Sequence, residues 1–290
     1  MSDDRTQAIT LIAFVGSCFS PYYAWSGRED PLNHCCVNVA LYGRGCRRWA
    51  MTERGRGDLE RSSDGLRIGP SALHWHGDTL VIQIDERAAP LPRRIAGVVR
   101  LTPQIQPATR YQLDGAGGHG WQPIAPRAHI EVSLRHPSLT WAGEGYLDSN
   151  FGREPLERGF SGWSWSRARH GDGALVLYDT EGREGGRTCL SLRFDANGAV
   201  RSLVPPPAVP LPGTLWRLSR VARADPASRA RVLNTLEDTP FYARSLVDTT
   251  LYGLPVLAIH ESLSLRRFRS PLVRVLLPFR MPRALNGPAL

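Results

Sequence analysis

Glycine and proline punctuate this chain too often for long helices. With 28 Gly and 23 Pro spread through 290 residues, few apolar runs reach helix length before a breaker intervenes. What fits between such breaks is a short strand. Turn signals recurring at about ten-residue spacing argue for an antiparallel β-sandwich or barrel. An all-β fold is therefore expected, with strands at 8–15, 35–42, 49–53, 65–68, 72–75, 79–86, 95–102, 129–134, 139–141, 174–179, 188–195, 215–221, 230–236, 245–252 and 255–264. His129-Ile-Glu-Val-Ser-Leu134 alternates strictly between apolar and polar, as a strand with one buried face does. The length suits about two domains of roughly 100–200 residues each. A junction near the middle divides them into 8–150 and 151–283.

Charge and composition exclude several functions. The net charge is +9, and all 36 basic residues are arginine, so no lysine Schiff base or lysine general base is available. The arginines are scattered until the last thirty residues, which argues against a nucleic-acid partner. The five cysteines (Cys18, Cys35, Cys36, Cys46, Cys189) form no CxxC pair. Metal spacing is absent, and reduced structural thiols are expected. Asp3 and Asp4 precede the single Arg5, and the apolar run from Ala8 to Val15 is short, so the start makes a poor signal peptide. No stretch approaches the ~20 apolar residues needed to span a bilayer. A cytoplasmic protein, soluble or at a membrane surface, is expected. Arg54-Gly-Arg-Gly57 lacks the strand–loop–helix setting of a phosphate loop and reads as a solvated turn.

The chemistry concentrates in Trp141 to Arg158, WAGEGYLDSNFGREPLER. Asp148 follows Tyr146 by two, with Asn150 and Phe151 behind and glycines at 143, 145 and 152. It is either a turn residue bonding its own backbone or an acid whose pKa is raised so that it can donate a proton. His119 and Trp121 share a face if their segment is extended; a flexible hairpin with a surface His is the other reading. Trp163 and Trp165 also face one way and offer a large π surface. Tyr22, Tyr23 and Trp25 line an apolar cavity or plug a barrel end. Glu237 and Asp238 lie beside Phe241 and Tyr242, with Asp238 suited to a turn cap. The tail from Leu265 to Arg283 interleaves six arginines with Leu, Val and Phe. It suits an anionic membrane surface, or a last strand with arginines on its wet face.

Several blocks carry a family likeness: FSPYYAWSGREDPLNH (19–34), RWAMTERGRGDL (48–59), LRIGPSALHW (66–75), WQPIAPRA (121–128), GYLDSNFGREPLERGF (145–160), TLEDTPFYARSL (235–246), HESLSLRRFRSP (260–271) and LPFRMPR (277–283). They resemble the carotenoid 1,2-hydratases, or hydroxyneurosporene synthases, over residues 14 to 283. The resemblance implies the two-domain lipocalin-like (AttH-like) architecture, with two antiparallel β-barrels side by side. It implies addition of water to the terminal carbon 1–carbon 2 double bond of an acyclic carotenoid, with no cofactor and no metal. The family's functional residues match His119, Trp121, Tyr146 and Asp148. On that likeness Asp148 donates the proton and Tyr146 orients it or relays its proton. Trp121, with Trp163 or Trp165, steadies the cation through its π face, and His119 polarises the attacking water and recovers its proton. Tyr22, Tyr23, Trp25, Phe151, Phe241 and Tyr242 are expected to touch substrate. The partners implied are the carotenoid, water and, peripherally, the inner membrane; oligomeric state stays open. The rival reading is a non-catalytic lipocalin-like carrier.

Overall fold

A computed structural model describes residues 1–284. Antiparallel sheets dominate. Ala8–Val15, Cys35–Tyr42 and Arg48–Met51 make a three-stranded sheet. The strands between Leu59 and Gly152 make an eight-stranded one, and those between Phe160 and Ser264 a seven-stranded one. A short ribbon pairs Ala208–Leu211 with Arg220–Arg223. Among the described residues no helix is long and apolar enough to cross a membrane.

The chain forms two compact units. The first holds Met1–Pro103, Ala128–Gly145 and the chain from Arg274. Part of its core is Cys36, Met51 and Met281, with Phe14, Phe19, Trp49 and Leu277 packed on them. Its strand Thr79–Arg87 buries Leu80, Ile82 and Ile84 on one face, and Glu86 takes the next inward position. The second unit holds Gln104–Arg127 and Tyr146–Val273. There Ala168, Leu175, Leu177, Leu251, Val256 and Ala258 form a core cluster.

Most expected strands form, and the departures have local causes. The strands foreseen at 129–134 and 139–141 are parts of His119–His136 and Leu139–Gly152, of 18 and 14 residues. Glycine inside a strand does not end it when both neighbours continue the ladder. The 115–121 segment is therefore no surface hairpin beyond its first residues: His119 and Trp121 are buried on a strand. Only Arg220 and Val221 of the stretch 215–221 are extended. Thr214 turns the rest, its hydroxyl accepting from the Leu218 N–H and its carbonyl from the Arg217 N–H. The tail is helical rather than a last strand. Ser264 caps Leu265–Phe268 by accepting from the Arg267 N–H, and Pro271 opens Pro271–Leu276. Arg54 is buried instead of solvated, because its guanidinium meets Glu86 at 2.7 Å.

Candidate active site

The second unit carries a buried acid. Side chains two apart on a strand share a face, so His119 and Trp121 project together, as do Tyr146 and Asp148. Their two strands are neighbours in one sheet. The Trp121 Nε1–H donates to Asp148 Oδ2 at 2.7 Å, and the Tyr146 hydroxyl donates to the same oxygen at 2.9 Å. Oδ1 accepts no hydrogen bond from the described residues.

This setting changes the acidity of Asp148. Burial, helped by the negative charge of Glu261, pushes its pKa up to about 6, against the pull of the two donors toward the ionised form. By surface area the residue is nonetheless only half-buried. It is reachable, yet packed round closely enough to lose its bulk hydration. The Tyr146 phenol is held well above its ordinary pKa, first by burial and then by the Asp148 charge, so it remains a donor.

A row of side chains from the other sheet of this unit faces the acid. Trp165 pairs with Tyr178 on one side and with Glu261 on the other. Glu261 pairs with Arg244, and Arg244 with Glu237. Directly paired residues project from one face, so Tyr178, Trp165, Glu261, Arg244 and Glu237 line up across five strands. Two ring contacts set this row against the acid's neighbours: Tyr146 on Trp165 at 5.0 Å and Trp121 on Tyr178 at 5.6 Å. Tyr178 also donates to Asn150 Oδ1 at 3.1 Å. The Arg244 Nε–H donates to Glu261 Oε1 at 2.9 Å, its Nη2 lies 2.8 Å from the same oxygen, and its Nη1–H donates to Glu237 Oε1 at 3.1 Å.

The other sequence candidates fall into three groups. Trp163 lies one row along on the same face, 6.2 Å from Tyr178 and 6.3 Å from Phe160. Tyr242 is in that row through Leu263, with the Arg244 guanidinium over its ring at 5.4 Å. His119 is buried against Phe160, and its Nε2 lies 3.6 Å from Glu154. Neither of its ring nitrogens has a hydrogen bond. A Cβ at Gly152 or Gly159 would strike that ring, which explains one glycine of the central stretch and the one just after it. Phe151 points to the opposite face, over Gly120 and beneath Arg110. Phe241 packs on Phe268 at 5.1 Å, away from the row. Tyr22, Tyr23 and Trp25 belong to the first unit, on the short helix Pro21–Trp25, where Tyr23 stacks on His34 at 4.8 Å and Trp25 is exposed. Asp238 accepts from the Leu215 N–H at 2.8 Å, a long-range bond rather than a cap of its own turn, which Thr239 closes through its hydroxyl and the Tyr242 backbone.

Sequence reasoning passed over Tyr178, Arg244 and Glu261. A signal was present. In Leu257-Ala-Ile259-His-Glu261-Ser-Leu263 the glutamate takes an apolar parity, and Arg244 does the same between Tyr242 and Leu246.

Comparison with known proteins follows the same lines. Residues 11–288 match the family model described as carotenoid hydratase CrtC. The chain is 52% identical over 287 residues to the acyclic carotenoid 1,2-hydratase of Thiocapsa roseopersicina, covering 98% of this chain and 71% of the relative. It is 44% identical to the enzyme of the same name from Cereibacter sphaeroides, covering 94% and 98%. In fold it is similar to a crystal structure described as an AttH from Nitrosomonas europaea, with a TM-score of 0.55 at 17% identity over 80% of this chain and 81% of that one.

Proposed function

The chain belongs to the carotenoid hydratase family, and on that premise we propose that Asp148 is the acid with which it hydrates an acyclic carotenoid at the terminal carbon 1–carbon 2 double bond. An isolated alkene is a poor base. A proton must go to carbon 2, leaving a tertiary cation at carbon 1 that water captures as a tertiary alcohol. The reaction is redox-neutral and calls on no cofactor. One observation carries the assignment: Asp148 has Oδ2 pinned by two donors and Oδ1 open, in a setting that favours the protonated form. A proton on Oδ1 is then aimed by groups that do not compete for it. The π face of Trp165 suits the cation, an interaction worth about 2 kcal/mol when desolvated, whereas Trp121 is fully buried and serves the acid through its N–H. His119, with Glu154 as its link to the surface, serves as a proton carrier beside the acid. A mere carrier of carotenoid has no use for a desolvated, half-bonded carboxyl.

Each of the two compact units would be one lipocalin-like barrel of this reading. The substrate is insoluble in water and has to come from a bilayer. The helical tail supports peripheral membrane contact: Leu272, Val275, Leu276 and Phe279 recur at helical spacing and are exposed, among Arg269, Arg274 and Arg280. Sedimentation with anionic vesicles, lost on Leu272→Ser with Phe279→Ser, tests that contact.

The acid itself is tested by incubating purified enzyme with lycopene and reading the mass gain of one water. Asp148→Asn is expected to fold and to lose turnover by roughly 10²–10⁴-fold. Near wild-type hydration by Asp148→Asn would remove the assignment.

A further inference from the structure

Alkene hydration needs a base as well as an acid, because the captured water must lose a proton. We propose that Glu261 is that base, and that the Trp165 indole N–H holds the water it acts on. The proposal rests on Asp148 being the acid.

Three features converge on Glu261. First, its place: it is the direct cross-strand partner of Trp165, whose ring packs on Tyr146, the donor to Asp148. Second, its bonding: Arg244 Nε and Nη2 both approach Oε1, and Oε2 accepts nothing from the described residues. Acid and base thus share one design, with one oxygen anchored and the other left to work. Third, its charge: Arg244 is shared with Glu237. One guanidinium is thus shared by two carboxylates, and negative charge on this row favours a cation formed against it. Beside it, Trp165 Nε1 is a buried donor with no acceptor. Such groups are rare and call for a reason. A water bonded to Nε1–H and Oε2 supplies one.

The step balances. The π electrons take the Asp148 Oδ1 proton at carbon 2. A lone pair of the water forms the carbon–oxygen bond at carbon 1. One O–H bond of that water then breaks, its electrons staying on the new hydroxyl and its proton passing to Glu261 Oε2. Glu261 gives that proton up to solvent and Asp148 takes one back, which restores the site with one water consumed.

Running the reaction in D₂O separates base from acid. A cation that is formed but not captured reverts by losing a proton from carbon 2, and leaves deuterium in the recovered carotenoid. Glu261→Gln is expected to hydrate roughly 10²–10⁴-fold more slowly while still putting deuterium into recovered lycopene. Trp165→Phe, which keeps a ring and loses the N–H, is expected to lower kcat about tenfold with KM unchanged. Wild-type hydration by Glu261→Gln, or equal loss of hydration and exchange in a folded variant, overturns the proposal. Asp148→Asn should lose both signals; exchange that survives in it counts against the acid instead. Should Glu261→Gln fail to fold, Glu261→Asp carries the test. It keeps the charge but falls one methylene short, so exchange should persist while hydration slows, and equal losses again refute the role.

Discussion

Glu86 in the first unit and Asp148 in the second are both carboxyl groups on buried faces of strands, and burial raises the pKa of both. They differ in how their oxygens are used. Glu86 accepts from Arg54 on Oε2 and from Ser71 on Oε1, each at 2.7 Å, and no part of its side chain is exposed. Asp148 engages one oxygen only and can be reached by a water-sized molecule. Glu53 marks the boundary between the cases. His34 and Arg283 hold its Oε1, and its Oε2 is unbonded, but it is sealed at 0% exposure and nothing can approach. A buried acid reads as structural when it is saturated or sealed. It reads as chemical when one oxygen is both unbonded and reachable.

Substitution should separate the two classes by what is lost. Asp148→Asn, with its expected loss of roughly 10²–10⁴-fold in turnover, should leave the denaturant midpoint near that of the wild type at acid pH. Glu86→Ala strips Arg54 of a buried partner, and is expected to cost about 3–5 kcal/mol of stability, while the fraction that stays folded turns over normally. A Glu86→Ala protein that kept its midpoint and lost activity would break the distinction.

Stability against pH gives a smaller effect of definite sign. The Asp148 carboxyl titrates near its ordinary 3.8 when unfolded and near about 6 when folded. The folded state therefore holds the proton more tightly, and stability falls as pH rises between those values. Asparagine mimics the protonated acid. Asp148→Asn should melt above the wild type at pH 8 and level with it near pH 3. A gap of the same size at both pH values would mean that the substitution acts through packing.

The strand pattern was largely legible because alternation and turn residues are local signals. The Thr79–Arg87 and Leu254–Ser264 strands could be drawn from sequence within a residue or two. Two lengths were not legible. His119–His136 and Leu139–Gly152 run through glycines that look like breaks until a partner strand is known. Likewise Asp148 stood out through its aromatic neighbours, whereas Glu261 did not. Its meaning depends on register, which places it beside Trp165 across 96 residues of chain, and no local pattern encodes that. The helical tail was missed for a related reason: its apolar stripe Leu272, Val275, Leu276 and Phe279 has helical spacing, but arginines between its members read equally as the wet face of a strand.

The finest contrast lies inside the site. The acid works protonated, so kcat/KM should fall as pH rises through about 6, by about tenfold per unit beyond it. The donors and Glu261 pull on that edge in opposite directions. Tyr146 hydrogen-bonds the ionised form and stabilises it. Removing its hydroxyl in Tyr146→Phe should weaken the acid and move the edge up, by about one unit if the bond to charge is worth about 1.4 kcal/mol. Glu261→Gln removes a negative charge that holds the proton on Asp148, so the edge should move down. Turnover falls in both variants, and the plateau therefore does not distinguish them, but the direction of the edge does. Edges that shift together would mean that Asp148 is not the group whose titration limits the reaction.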